Sequence, residues 1–425
     1  MRLRVGHAQC TDRRVITVFA LSLAASTSLT LEDAWTQARI RSTRLRAADA
    51  DVAAAEADAD VAARWLPDPQ LQISGSTDAP TTQEGENNLE AEVQQALRWP
   101  MESWARQSGS QALVRAAQQE RGLSEVVAWR ELAGAYVGLV AAAEELALRR
   151  SLLNVATKVN AGAEARAIAG ESAAIEASFA AVDVAAAEAA VAVAEAEAGR
   201  ARARLCAELG DVACPDYAVV WPVFAIPAVA DDAVADAVEL RSDVRAAVER
   251  AAAADALRDA AGWERLPAPT IGVVAMGERS ELDVADGKLI DDDTLLGLRL
   301  SIPLPIFSLG QGSVAAAQAA QARRKAELDA VRLQALHATR AAVLSWQAAV
   351  RARTSWQKVE PRFEESLRWL ADGYLGGVVD LNTQLAGRDR IARARVDAIG
   401  ARRAEAIAAA DVLAALGTLP NSGAP

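Results

Sequence analysis

Two stretches of this chain alternate between mainly apolar and mainly polar positions. Leu89, Ala91, Val93, Gln95, Leu97 and Trp99 interleave with Glu90, Glu92, Gln94, Ala96 and Arg98. Further on, Leu296, Leu298, Leu300, Ile302 and Leu304 interleave with Gly297, Arg299, Ser301 and Pro303. A period of two puts the sets on opposite faces of a β-strand, one face greasy and one wet. A weaker run precedes each, Gln70 to Ser76 and Thr270 to Gly277, across polar, acidic connections at Asp78 to Asn88 and Glu278 to Asp293. The pattern therefore predicts two hairpins, with strands at about 70–77, 88–99, 269–277 and 294–304.

Elsewhere the pattern is helical. No proline interrupts Glu102 to about Lys158, and Gly170 to Gly210 is nearly continuous Ala, Glu, Val and Arg, a strongly helix-forming composition. Ser313 to Glu360 and about Asp380 to Gly417 do the same. Such helices run roughly 60 to 85 Å at 1.5 Å per residue, which predicts a long antiparallel coiled-coil body. Glycines mark its turns, at Ala169-Gly170-Glu171 and at Tyr374-Leu375-Gly376-Gly377-Val378.

The two halves are copies. Arg41-Ser42 and Leu66-Pro67-Asp68-Pro69 recur 200 residues later as Arg241-Ser242 and Leu266-Pro267-Ala268-Pro269, with Ala-rich helical sequence between the markers in both. We read a tandem duplication, repeat one about 29–210, a linker about 211–233 and repeat two about 234–418, joined in one body. Prolines cluster where helix becomes strand, since proline ends a helix without needing a ladder donor.

Eleven residues of alternation match a tilted strand crossing a bilayer, with Glu90, Glu92, Arg98 and Arg299 facing water in a barrel lumen. Trp65, Trp99, Trp104, Trp263 and Phe307 stand at the helix–strand junctions, as a membrane-interface girdle or as hinge packing. Four strands cannot close a membrane barrel, and an open edge in lipid strands backbone groups without partners, so oligomerisation is physically required. The predicted fold class is mainly α with a small transmembrane β-barrel.

Composition narrows the function. The 425 residues are 52% hydrophobic but only 4% aromatic, because Ala supplies the apolar count. The net charge of −12, with no basic face, argues against nucleic acid as a partner. Arg13-Arg14 followed by the apolar stretch Val15 to Ala25 and the small Ser26 reads as a secretory signal peptide, residues 1–28. No later stretch supplies the continuous apolar residues of a membrane helix. Cys206 and Cys214 would either pair in an oxidising periplasm or sit as two small buried side chains. The only histidines are His7, within the signal, and His337, on a helical stretch, so no metal constellation forms. No cofactor fingerprint or nucleophile motif is present, and the chain reads as no enzyme. Asp283, Asp286, Asp291, Asp292 and Asp293 either attract cations at an external mouth or keep a loop soluble.

The order helix, Leu-Pro-x-Pro hinge, strand hairpin, long helical hairpin, then the same again, resembles the outer membrane factor family of TolC-like proteins over about residues 29 to 418. Leu29-Thr30-Leu31-Glu32-Asp33-Ala34, Arg41-Ser42, Leu66-Pro67-Asp68-Pro69, Ile302-Pro303-Leu304-Pro305-Ile306-Phe307 and Tyr374-Leu375-Gly376-Gly377-Val378-Val379-Asp380-Leu381 are similar to that family's patterns. The branch it looks closest to is the CzcC-like one, which serves heavy-metal efflux. Unlike many relatives, this chain lacks a lipidated first cysteine, since Cys10 precedes the apolar stretch. The resemblance implies a homotrimer closing a 12-stranded barrel over a helical tunnel. Its partners would be a periplasmic adaptor (membrane fusion) protein, an inner-membrane resistance-nodulation-division pump and outer membrane lipid. It would sit in the outer membrane of a Gram-negative bacterium with a large periplasmic part, and pass cargo, heavy-metal cations in that branch, without chemistry of its own. A closed tunnel end would be gated at the tips by Gly170, Glu171, Gly376, Gly377 and Asp380. The competing class is a soluble periplasmic coiled-coil scaffold or adaptor, which accounts for the helices and leaves the duplicated strands unexplained.

Overall fold

The computed structural model describes residues 27–77, 86–170, 173–227, 231–285, 287–304, 306 and 310–417. Each repeat opens with a broken helix. In the first, α1 (Leu31–Arg41) is capped by Thr30, whose side chain accepts from the Asp33 amide, and α2 (Thr43–Ala63) restarts on Ser42, which accepts from Leu45. In the second, α3 (Asp231–Leu240) and α4 (Ser242–Trp263) meet at Arg241. The duplicated Arg-Ser pair thus marks a break in both copies.

Past each Leu-Pro-x-Pro segment the chain enters a sheet of order β2-β3-β5-β6, with β2 (Gln70–Thr77), β3 (Glu86–Ala96), β5 (Thr270–Val284) and β6 (Gly287–Ser301) all antiparallel to their neighbours. The prolines tie the hinges to the sheet. The Pro67 carbonyl accepts from Gln95 Nε2 at 2.7 Å and the Pro269 carbonyl from the Leu97 amide at 2.8 Å.

The second hairpin differs from its sequence reading. Glu278 to Asp293, expected as loop, is mostly strand, paired in register from Glu278↔Asp293 to Val284↔Gly287. Acidic composition reads as loop, yet alternate residues on two paired strands share a face, so Arg279 reaches Asp292 at 3.7 Å. Strand three, expected at 88–99, ends at Ala96, because Trp99 is already the N-cap of a helix with Pro100 in its first turn. Likewise β6 stops at Ser301, short of Pro303, which has no ladder donor.

The helical body is organised around α5 (Pro100–Ile168), 69 residues and about 100 Å long. It packs against α2, α4, the hairpin partner α6 (Ala174–Leu209) and the final helix α9 (Leu381–Leu416). In the second repeat α7 (Gln311–Gln357) ends before Pro361, and the separate α8 (Pro361–Leu375) leads to the tip. Windows within α5 and α6 have mean hydropathy of 1.3 and 1.7, apolar enough in composition to cross a membrane. Alanine supplies that apolarity; 56% of the α5 window is buried in the body and 11% of the α6 window.

The largest core lies halfway along α5, where Trp129, Leu132 and Tyr136 meet Trp35, Leu205, Leu209 and Leu413. A small parallel sheet, β1 (Thr27–Leu29) with β4 (Tyr217–Val219), closes it. Sequence pattern missed this pair, each strand being three residues long. Thr27 and Ser28, assigned above to the signal, therefore belong to the folded body, and the rest of that segment lies outside the described residues. Helix α3 also begins inside the expected linker.

Candidate functional site: sheet faces, hinge and tunnel tip

Register fixes the two faces of the sheet. Rows such as Leu71–Val93–Val273–Leu298 and Ile73–Ala91–Ala275–Leu296 cross all four strands on one side. Ten large aliphatic side chains on this face are exposed, Leu296 at 80% and Leu298 at 84% among them. Those rows span about 20 Å along the strands at about 3.4 Å per residue. Exposed apolar area of this extent on one face marks a surface meant for something other than water.

The opposite face carries Gln70, Gln72, Gln94, Glu90, Glu92 and Arg299. Arg299 pairs with both glutamates, its Nη1 with Glu92 and its Nη2 with Glu90 at 2.8 Å. Three of the four residues expected to line a lumen thus come together. The fourth does not: Arg98 follows the end of β3, and its carbonyl accepts from Trp65 Nε1 at 3.2 Å. Same-face placement was readable from the period of two; the ion pairing needed the register.

At the helix–strand junctions, Trp65, Trp99, Trp104 and Trp263 are all exposed, as are Leu66 of the first hinge and Ile302, Leu304 and Ile306 after β6. Trp65 also makes a hinge contact, its Nε1 donating to the Arg98 carbonyl, so both readings of the rings stay open. Phe307 lies outside the described residues.

The far end of the body is tied by polar contacts. Gly170 and Gly377 adopt φ of +73° and +71°, the left-handed backbone that lets each hairpin turn. Gly376 accepts no such demand, with φ −81°. Asp380 caps α9, accepting from the Thr383 amide at 3.0 Å and hydroxyl at 2.6 Å, which holds its carboxyl below the ordinary carboxylate value. Glu171 lies outside the described residues. Sequence reasoning missed the pair that joins the two repeats here: Arg388 of α9 binds both carboxylate oxygens of Asp183 on α6, and both side chains are largely buried. Tyr374 is buried beside them in the chain's tip cluster, with the Arg166 guanidinium 5.3 Å from its ring centre.

Midway, the helix end of repeat one is bound to the segment after it. Cys206 and Cys214 form a disulfide, and Tyr217 donates to Asp211. Burial first, then that hydrogen bond, pushes the Tyr217 hydroxyl up to about 12. Trp221 donates to Glu144 at 2.7 Å and lies under Arg402. Among the described residues no group of three or more His, Cys, Asp and Glu is placed to hold a metal ion.

Four antiparallel strands set between long helical hairpins, with one apolar face, a second face that carries the charges and a remote glycine tip, give this chain the fold of solved outer membrane channels. The Campylobacter jejuni CmeC outer membrane channel superposes with a TM-score of 0.73 at 14% identity, over 100% of this chain and 95% of that one. The open state of the Neisseria gonorrhoeae MtrE outer membrane channel gives 0.73 at 18%, over 91% and 88%. CusC, solved in a study of folding and transmembrane channel formation, gives 0.74 at 16%, over 96% and 99%. In sequence, residues 233–418, essentially the second repeat, match the family described as outer membrane efflux protein. No curated protein matches the chain.

Proposed function

We propose that this chain is one subunit of a trimeric outer membrane efflux channel, a passive exit duct rather than an enzyme. The observation that carries this reading is the sheet: one face exposed and aliphatic, the other holding the charged and amide side chains beside Met276 and Leu295, and both edges, β2 and β6, without a neighbouring strand among the described residues. An eight-residue edge such as β2 leaves about eight unpaired backbone groups, and each costs several kcal/mol in hydrocarbon. Tens of kcal/mol exceed the whole stability of a typical domain, about 5–15 kcal/mol. Pairing β2 of one copy with β6 of the next removes that cost, and three copies give twelve strands. The helical flanks agree: α6 and α7 bound the body on either side, and Val182, Val193, Leu333 and Leu344 on them are exposed.

The duct would stand in the outer membrane of a Gram-negative bacterium, delivered by a signal peptide that ends before Thr27, and connect to a periplasmic adaptor and a resistance-nodulation-division pump. For the adaptor we assign the groove between α8 and the tip turn. Trp369 and Val378 expose its apolar floor, and Glu364, Glu365 and Asp372 outnumber Arg368 on its rim, Glu364 being paired with Arg395, so an apolar partner segment with a basic residue fits. Heavy-metal cations are the proposed cargo, and a deletion strain should then become sensitive to such metals and not to drugs. Asp380 and Glu171 would gate the tip. If Asp380→Asn and Glu171→Gln leave conductance and its cation block unchanged, the gate assignment fails.

The central test is direct. Purified protein should need detergent for extraction, run as a trimer and conduct ions in planar bilayers. Release by carbonate or salt alone would instead favour the soluble scaffold.

A further inference from the structure

Arg299 on β6 reaches carboxylates on β3 although β5 lies between them. Strands sit about 4.8 Å apart, so the ion pair must bridge nearly 10 Å over the surface of β5. The residue it passes over is Gly272, which pairs with Arg299 on one side and Gln94 on the other. A Cβ at Gly272 would collide with Oε1 of Glu92. Glycine here is the saddle on which the Glu92 carboxylate lies. The consequence is unusual burial for a charge on an otherwise open face: Glu92 is 2% exposed, and its Oε1 has no hydrogen-bond partner.

A clamp needed only for cohesion would be a neutral pair. This one holds two carboxylates with one guanidinium and keeps a residual negative charge. Further along the same face, Glu278 opposes Asp293, and Asp291 follows two residues on. Among the described residues, Arg299 is the sole basic residue on that face of the four strands, against six acidic ones by register, Glu86, Glu90, Glu92, Glu278, Asp291 and Asp293.

We infer that Glu90, Glu92 and Arg299, seated across Gly272, form the charge clamp that sets cation preference in the barrel lumen. This rests on the channel reading above. In a closed barrel each chain contributes one such clamp at the same height, so the lumen carries a ring of net negative charge whose field attracts cations and repels anions. Arg299 tunes the ring. It is about half exposed and pulls the carboxylates toward neutrality without cancelling them.

Reversal potentials across a potassium chloride gradient, read on the full-length protein in planar bilayers, test this. Unmodified protein should prefer potassium over chloride. Arg299→Gln should raise the permeability ratio about twofold or more, and Glu90→Gln should lower it by a similar factor, since each changes the ring by one charge per chain. Glu90 is the less buried carboxylate of the clamp, so Glu90→Gln leaves the Glu92–Arg299 contact in place and keeps the test available should Arg299→Gln fail to assemble. Conducting variants with the ratio of the unmodified protein overturn the clamp and leave the channel reading standing. No conductance from the unmodified protein overturns the channel reading itself.

Discussion

The two repeats share their junctions and differ in what lies between them. Both break a helix at Arg-Ser, both turn into the sheet through Leu-Pro-x-Pro, and both fold back at a left-handed glycine. Yet the first hairpin has strands of 8 and 11 residues and the second has two of 15. Repeat one runs to its tip in a single 69-residue helix, where repeat two inserts a break at Pro361. Junctions are set by backbone constraints that few residue types satisfy. Lengths beyond the packed body are free to drift, because no packed neighbour there fixes where a strand or helix must end.

The largest expected effect separates the sheet from the helices. Leu298 is 84% exposed, and in water a substitution there would change stability by less than about 0.5 kcal/mol. In lipid, Leu298→Arg should cost about 2–4 kcal/mol per chain. Folding into vesicles should therefore fail for Leu298→Arg and for Val93→Arg in the other hairpin. Normal insertion of both would remove the lipid-facing surface from the account.

Next in size is the pair that joins the repeats at the tip. Asp183→Asn leaves the largely buried Arg388 guanidinium without its charge partner, at a cost of about 3 kcal/mol. The thermal midpoint should drop, and replacing Arg388 by Leu in the same chain should restore most of it. A drop that persists in the double variant would place the loss elsewhere than in the stranded charge.

How much of this was legible follows the same division. The faces of β3 and β6 were readable because period two survives any choice of partner. The reach of Arg299 to Glu92 was not, since it depends on register and on the missing side chain of Gly272. Glu278 to Asp293 misled by composition: its carboxylates are tolerated on strands whose faces meet water. The tip glycines were readable from residue type, while Arg388 and Asp183, 205 positions apart, carry no local signal. Cysteine spacing left pairing and burial equally open, and only coordinates decide for the disulfide.

That disulfide is unique to repeat one and provides the third test. A closure of 8 residues is worth about 2.5 kcal/mol by loop entropy. Cys206→Ser should lower resistance to denaturant by that amount, and reductant should do the same to the unmodified protein while leaving the variant unmoved. Equal sensitivity of both to reductant would show that the bond contributes nothing.

The smallest effect compares the two Arg-Ser breaks. At the first, Ser42 accepts from the Leu45 amide at 3.4 Å, a neutral contact. At the second, Arg241 grips Asp243 at 2.7 Å and also donates to the Ala415 carbonyl at 3.0 Å, fastening the end of α9 to the start of α4. Burial alone would raise the Asp243 carboxyl, but the Arg241 hydrogen bonds and charge outweigh it and hold it below its ordinary 3.8. A carboxyl lowered by folding stabilises the protein above its unfolded value and ceases to do so as pH falls through its folded one. Asp243→Asn should thus cost on the order of 1 kcal/mol at neutral pH, and the difference should fade as pH drops below the ordinary carboxylate value and through the lowered folded one. Ser42→Ala should cost about 0.5 kcal/mol at both pH values, because no proton is involved. Unfolding curves at neutral and acid pH decide the matter: parallel losses in the two variants would mean that the second break, like the first, is held by capping and not by charge.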